Sequence, residues 1–354
     1  MTEMAPNRAP VVITGGCGFI GCNLADRLAA RGERVAVLDN LMRSGVRENA
    51  QWLKSRHGER ITITVGDVRD PITVIDTIRP AKAVLHLAAQ VAVTSSLDSP
   101  VDDFEINARG TLNVLEAVRL RNPAAPVLFA STNKVYGRLI GDDAIVRTGQ
   151  RYQPIDPALA PGVSEATPLD LYSPYGCSKG AADQYVHDYG RVFGLKTAVL
   201  RMSCIYGPRQ FGNEDQGWIA HFVLSALRGG ALTIYGDGCQ VRDALYVADA
   251  VDAWLAVLDN IERTRGRVFN LGGGPANAIS LLELIDQITQ LSGPVKFGFA
   301  DWRPGDQPWY VTDICALTEA TGWRPATPFA EGLRALQGWL TTRFLETRGQ
   351  EALA

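Results

Sequence analysis

Short runs of β-branched and aliphatic residues punctuate the first part of the chain, at Val11–Thr14, Val35–Leu38, Ile61–Val65, Val84–Leu87, Val127–Ala130 and Thr197–Leu200. Between them lie longer stretches with apolar residues at helical spacing, such as Ile20–Arg31, Asn107–Arg121 and Lys179–Phe193. Strand and helix in strict alternation predict an α/β fold, a doubly wound parallel sheet with helices on both faces. A strand covered on both faces has no wet side, which explains why these runs are continuously apolar. After Leu200 the pattern is mixed. Helical spacing at Trp218–Leu227, Val247–Leu258 and Leu281–Leu291 is broken by short strands near Leu232–Tyr235, Val268–Leu271 and Val295–Phe297, and by Gly272-Gly273-Gly274-Pro275. The expected division is a sheet domain from residues 1–200 and about 240–273, a smaller C-terminal substrate-binding lobe from about 201–239 and 274–345, and a polar tail, 346–354.

Charge narrows the possible partners. With 35 basic against 38 acidic side chains the chain lacks the basic excess of a nucleic-acid binder. No apolar run is long enough to span a bilayer, and Met1 to Pro10 has no signal-like apolar core, so neither a membrane nor export is expected and the location expected is cytoplasmic. The six cysteines and four histidines are scattered, which predicts free thiols and no metal site.

Thr14-Gly15-Gly16-Cys17-Gly18-Phe19-Ile20-Gly21 joins the first strand to the first helix. Glycine there lets the backbone approach a diphosphate, and the helix N-terminus offers unpaired N–H groups and partial positive charge. Asp39 closes the second strand, where a carboxylate accepts from both ribose hydroxyls of an adenosine and repels a 2′-phosphate. The cofactor expected is therefore NAD, with Gly15, Gly18, Phe19, Ile20, Asp39 and Asn40 around its adenosine diphosphate. Asp67 and Val68 follow the third strand, at the adenine or, for Asp67, as a helix cap. Leu87, Ala88, Ala89 and Gln90 follow the fourth, where small residues let the backbone pass beside the diphosphate.

Tyr175 and Lys179 stand four apart in Y-x-x-x-K, on one helix face, so the ammonium is expected beside the phenol. A cation favours phenolate, and a phenolate takes a proton from a substrate hydroxyl.

Together with Asn107 in Asn107-Ala108-Arg109-Gly110-Thr111 and with Val135-Tyr136-Gly137, these motifs resemble the extended short-chain dehydrogenases/reductases over nearly the whole chain. The resemblance implies a Rossmann-like domain. It also implies catalysis by Thr132, Tyr175 and Lys179, with Asn107, Tyr175, Lys179 and Ser203 at the cofactor. Asn107 would be a structural or relay residue. On the substrate side the resemblance implies Cys204, where many relatives have Asn, and the diphosphate-binding Arg242 and Arg303. Arg209 and Gln210 would join them and Tyr235 would border the base. Ion pairs with Asp243 and Asp306 are the alternative for the two arginines.

Ser131-Thr132-Asn133-Lys134-Val135-Tyr136-Gly137, Asp215-Gln216-Gly217-Trp218 and the insertion from Arg138 to Leu171 are similar to the members that epimerise CDP-sugars at C2. That similarity puts Asn133, Lys134 and Trp218 at the sugar. It implies a CDP-paratose-like substrate, oxidised to a keto sugar and reduced on its other face. Other readings are another GDP-, UDP- or CDP-sugar, a different carbon, a net dehydrogenase or reductase, or an inactive binding homologue. A 4,6-dehydratase commonly has Asp-Glu after Thr132, where this chain has Asn133 and Lys134. The insertion would wall the sugar or be a surface excursion. A homodimer is expected through the helices near Asn107–Arg121 and Lys179–Phe193, with Leu112, Leu115 and Val118 either core or interface.

Overall fold

The computed structural model describes residues 9–303 and 306–351. In chain order its strands are β1 (Val11–Thr14), β2 (Val35–Asp39), β3 (Ile61–Val65), β4 (Ala83–His86), β5 (Val127–Thr132), β6 (Ile145–Thr148), β7 (Arg151–Pro154), β8 (Thr197–Met202), β9 (Cys204–Tyr206), β10 (Ala231–Tyr235), β11 (Val241–Tyr246), β12 (Arg267–Leu271), β13 (Ala278–Ser280), β14 (Lys296–Ala300) and β15 (Trp309–Tyr310). A seven-stranded sheet runs β12-β8-β5-β4-β1-β2-β3 with every neighbouring pair parallel. The chain winds outward from β1 to β3, then returns to the other side of β1 as β4. This reversal opens a crevice at the carboxyl ends of β1 and β4, where sheets of this kind take ligands.

One face of the sheet packs on helices Phe19–Ala30 and Val247–Asp259, with Leu24 and Trp254 fully buried. The other packs on Pro71–Ile78, Gly110–Arg121 and Ser173–Phe193. Leu115 and Val118 belong to this second core, and Leu112 packs against it. In the smaller lobe β11 pairs with β9, β13 and β15, and β10 with β14, over a core that includes Phe222, Ile234, Leu284 and Leu336. Residues 241–246 thus lie in a small sheet, while 267–271 return to the large one.

Three local differences from the periodicity matter. The helix expected from Lys179 begins at Ser173, which brings Tyr175 into its first turn. The helix Gly110–Arg121 is preceded by a wide π turn over Glu105–Arg109 that carries Asn107. The last helix, Phe329–Glu351, continues into the segment expected as a tail, and residues 352–354 lie outside the described ones. The insertion folds in part as an antiparallel hairpin, β6–β7. Its Arg151 forms a two-pronged ion pair with Glu283 at 2.6 Å, Tyr152 Oη donates to Asp237 at 2.6 Å, and the Tyr152 amide donates to the Cys239 carbonyl at 2.9 Å. The hairpin therefore braces the turn between β10 and β11.

A buried ion pair ties the layers together. Arg201 of β8 donates twice to Asp183, both bonds 2.9 Å, with side-chain exposures of 5% and 0%. Asp183 also accepts from Ser131 Oγ at 2.7 Å, and Arg201 reaches Tyr136 Oη at 3.0 Å, which donates to Asn270 of β12. Removing one partner leaves an uncompensated buried charge, so Asp183→Leu or Arg201→Met should each destabilise by about 3–5 kcal/mol. The double variant should recover much of that loss in urea unfolding. Equal and additive losses would mean that the pair does not act as a unit.

Candidate active site

One cleft of about 830 Å³ follows the carboxyl ends of the central strands and continues between the lobes. Every site residue expected from the sequence lines it except Asn107. At its start Gly15 takes φ 68°, and a Cβ there would lie 2.7 Å from the Ala88 amide nitrogen. Glycine is therefore required where the turn after β1 crosses the loop after β4. The helix Phe19–Ala30 starts at Gly18 with no side-chain cap, so its first N–H groups face the cleft.

Behind the crossing, His86 is fully buried and its pKa is pushed down to about 3 by burial and then by the Lys179 charge. Its tautomer follows from its partners. Thr111 Oγ1 donates to the Asn107 carbonyl, so it accepts from His86 Nε2 at 2.9 Å. His86 Nδ1 then accepts from Thr14 Oγ1 at 2.6 Å, and Thr14 accepts from the Ala88 amide at 3.2 Å. The neutral imidazole is a structural pin under the crossing.

Asp39 is buried with each oxygen anchored on one amide, Cys17 at 3.0 Å and Leu41 at 2.9 Å. Burial raises its pKa and those amides offset the rise. Asp67 is bound by Arg69 and by Asn40 Nδ2, all at 3.0 Å, with its pKa held down to about 2 chiefly by Arg69. It does not cap the following helix, because Asp70 does so through the Ile72 amide. Val68, Leu87, Ala89 and Gln90 complete this end, with Phe19 and Ile20 at the helix start.

Asn107 departs from its expected place. It is 1% exposed and lies behind the cleft wall. Its Oδ1 accepts from the Gln90 amide at 2.9 Å, and its Nδ2 donates to Asp103 and to Ser178, each at 3.1 Å. It holds the cofactor-side loop and the catalytic helix in register, so it does not itself contact the cleft. Asp103, Ser178 and Ser96, whose Oγ accepts from the Tyr175 amide at 3.1 Å, are supports that sequence inspection missed. The only local signal was Asp103, one helical turn before Asn107.

At the centre, Thr132 ends β5 and its side chain hydrogen-bonds the Tyr175 phenol. Burial pushes that phenol up to about 12. The Thr132 bond lowers it, Asp103 raises it and Arg43 lowers it. Lys179, expected beside the phenol, has its Nζ donating to the Ala130 carbonyl at 2.6 Å and lying 4.2 Å from the centre of the Phe129 ring. Burial lowers its pKa to about 7, against the pull of Asp183 and Asp103.

The far end is rich in charge. Arg242 donates to Asp306 Oδ1 at 2.7 Å, and Lys134 Nζ is 3.9 Å from the same oxygen. Arg303 lies 3.8 Å over the Tyr235 ring and pairs with Glu214 and Asp215. Asp243 is elsewhere, buried against Ser203 Oγ at 2.5 Å. Asn133 donates to Gln307 at 3.3 Å, and Trp218 Nε1 donates to Cys204 Sγ at 3.4 Å. Burial raises the Cys204 pKa, so it is a thiol. Arg209 does not join the other arginines. With φ 72° it turns its guanidinium onto Trp52, 4.0 Å from the ring centre. Gln210 Nε2 supports the same loop through the Ile205 carbonyl at 3.1 Å. Among the described residues none of the 138–171 insertion lines the cleft, so it does not wall the sugar.

Residues 11–272 match the NAD dependent epimerase/dehydratase family. The chain belongs to this family. Over 340 residues it is 42% identical to CDP-paratose 2-epimerase of Salmonella typhi, covering 94% of this chain and 99% of that one. The UDP-glucose 4-epimerase of Thermus thermophilus, solved with NAD, superposes with a TM-score of 0.78 at 34% identity, covering 94% and 99% of the two chains. That of Thermotoga maritima, solved with UDP-glucose, superposes at 0.80 with 29% identity, covering 95% and 99%.

The cofactor that this family uses fits the residues present. The uncapped helix start offers N–H donors for a diphosphate, and Asp39 is held by two amides at the carboxyl end of β2, where an adenosine ribose would meet it. Leu41, Ser173 and Arg209 all take positive φ, two residues from the cleft residues Asp39 and Tyr175 in the first two cases and at the cleft itself in the third, a kind of place where backbone strain is commonly held. The phenol should titrate near pH 12 in ligand-free protein. Saturating NAD should lower that value, because the cationic nicotinamide favours phenolate. The difference in phenolate absorbance between the protein and Tyr175→Phe reads it, and a value unchanged by NAD would contradict the assignment.

Proposed function

We propose that this chain is an NAD-dependent nucleotide-sugar epimerase that inverts C2 of a CDP-linked sugar such as CDP-paratose. The observation that carries the reading is the meeting, in one cleft, of Thr132, Tyr175 and Lys179 with a far end where Lys134, Arg242 and Arg303 are gathered against exchangeable carboxylates. The near full-length likeness to the Salmonella enzyme supports C2 and cytidine.

NAD, bound along Gly15, Asp39 and Lys179, supplies an acceptor and then a donor of hydride to the sugar carbon. Thr132 hydrogen-bonds the reacting sugar oxygen and orients it toward Tyr175. Tyr175 takes the hydroxyl proton as the carbon is oxidised and returns it after the ring has turned. Lys179, released from the Ala130 carbonyl, holds the nicotinamide ribose and adds positive charge near the phenol. Arg242 and Arg303 fork onto the diphosphate, for which planar guanidinium is suited. Tyr235 borders the base. The large sheet and its helices carry the cofactor, and the smaller lobe, which includes β11 and Arg242, carries the nucleotide. A 4,6-dehydratase is disfavoured, since Asn133 is tied to Gln307 and Lys134 is a cation where an acid and a base would be needed.

We read the working form as a cytoplasmic homodimer. Its supports are the exposed apolar Leu120, Tyr185, Val192 and Phe193 on the helices Gly110–Arg121 and Ser173–Phe193, with Val101 and Phe104 beside them. Among the described residues no helix is long and apolar enough to cross a membrane.

Purified protein incubated with CDP-, GDP- and UDP-sugars in deuterated water should give by NMR a C2 epimer of a CDP-sugar without solvent deuterium at C2. Deuterium there would point to deprotonation instead. Tyr175→Phe should lower turnover by about 10²–10⁴-fold with NAD still bound. Unchanged turnover would remove Tyr175 from the mechanism.

A further inference from the structure

The catalytic set alone does not choose a carbon. Paratose keeps ring hydroxyls at C2 and C4, and Thr132, Tyr175 and the cofactor could oxidise either. The two carbons differ in where they put the phosphate. C2 is bonded to the anomeric carbon, which carries the β-phosphate, whereas C4 lies across the ring. Presenting C2 to Tyr175 therefore brings the β-phosphate close to Thr132, and presenting C4 moves it a ring width away. A cation fixed close to Thr132 would favour the first pose.

Lys134, two residues beyond Thr132 in the chain, is the candidate. Asn133–Tyr136 forms a tight turn straight after β5, and the Lys134 amide donates to Thr132 Oγ1 at 3.2 Å. The hydroxyl that orients the reacting oxygen and the backbone that carries the ammonium are thus one rigid unit. Lys134 Nζ lines the cleft and faces Asp306, Arg242 and Cys204. A single oxygen of Asp306 sits 2.7 Å from Arg242 Nη2 and 3.9 Å from Lys134 Nζ. A carboxylate drawn toward two cations marks a position suited to an oxyanion, such as a phosphoryl oxygen. Neither cation comes from the helix that bears Tyr175. Arg242 belongs to β11 and Lys134 to the turn, so the two approach the phosphate from different lobes.

We propose that Lys134 is a specificity-determining residue whose ammonium holds the β-phosphate beside Thr132 and so presents C2, rather than C4, of the sugar to Tyr175. This rests on the nucleotide-sugar epimerase reading above. Arg242 comes from β11 of the smaller lobe, whereas Lys134 comes from the turn whose backbone is bonded to Thr132, so of the two only Lys134 is tied to the catalytic hydroxyl. Lys134 adds the contact that only the C2 pose makes.

The test uses the full-length protein with bound NAD. Wild type, Lys134→Met and Lys134→Arg are compared on CDP-paratose by NMR of the products, and on CDP and CMP by calorimetry. The methionine variant should bind CDP about ten- to a hundredfold more weakly, the usual worth of a charge-assisted contact, and CMP almost unchanged. Its KM for CDP-paratose should rise by a similar factor, and the C4 epimer should appear beside the C2 epimer. The arginine variant should keep C2 selectivity. A methionine variant that retains CDP affinity and gives only the C2 epimer overturns the proposal. So does one that loses kcat alone, with KM and product ratio unchanged, because that is a structural or chemical role. If wild type leaves CDP-paratose unchanged, the proposed function fails. The Lys134 contact is still decided by CDP against CMP, and equal loss for both, or none, refutes it.

Discussion

The proposed catalysis depends on holding two elements that are distant in sequence at a fixed separation. Thr132 comes from the end of β5 and Tyr175 from the first turn of the helix Ser173–Phe193, and a proton passes usefully between such groups only within hydrogen-bond reach. Asp183 provides the hold. Eight residues along the helix from Tyr175, it binds Ser131, next to Thr132, and Arg201 of the adjacent strand. Lys179 adds its bond to Ala130, and Asn107 ties the opposite side of the helix, through Ser178, to the loop that carries Gln90. The register of strand and helix is thereby fixed from both sides before any ligand arrives. Much of the preorganisation of the site is therefore in buried polar contacts behind the cleft wall.

The other end of the cleft is built differently. Lys134, Arg242 and Arg303 are matched there by Asp306, Glu214 and Asp215, so the ligand-free end is close to neutral. A diphosphate must exchange with these carboxylates rather than fill an open cationic hole. The exchange makes affinity depend on geometry. A bidentate fork onto phosphate replaces a single carboxylate contact, and the gain goes to ligands whose phosphates reach all the cations together. The separation of roles follows from the fold. On the proposed function the large sheet supplies a rigid redox centre, while discrimination among sugars falls to loops of the smaller lobe and to the turn after β5.

Much of this was legible in the sequence because it follows from local rules. Continuous apolar runs fix buried parallel strands, and Gly15, Asp39 and the Tyr175–Lys179 spacing sit at positions where backbone geometry leaves few alternatives. What was not legible depends on competition among neighbours. Lys179 bonds the Ala130 carbonyl, on a strand 49 residues away in the chain. Arg209 was grouped with the diphosphate arginines, but its positive φ turns it toward Trp52. Asn107 was placed at the cofactor, yet the π turn directs its amide to Asp103 and Ser178. The 138–171 insertion was expected as a wall over the sugar, and the Arg151–Glu283 and Tyr152–Asp237 contacts show it bracing the β10–β11 turn from outside. Periodicity could not carry such choices, because each one depends on a partner far away in the chain.

That bracing has a consequence for specificity. The turn between β10 and β11 leads from Tyr235, at the far end of the cleft, to Arg242, at the phosphates. Gln240 Nε2 closes it on the Tyr235 carbonyl at 2.6 Å, and Tyr152 holds it from the other side through Asp237 and Cys239. The distance between Tyr235 and Arg242 is thus set by a turn clamped on both sides, and the distance from Arg242 to Thr132 by the shared contact with Asp306 and the Asn133–Gln307 bond. In the proposed function a nucleotide sugar spans these points in order: base, diphosphate, reacting carbon. With the spacing fixed at each step, the length between base and reacting carbon becomes a property that the protein can read, and on the proposed reading the turn that ties Lys134 to Thr132 shortens that path from C4 to C2.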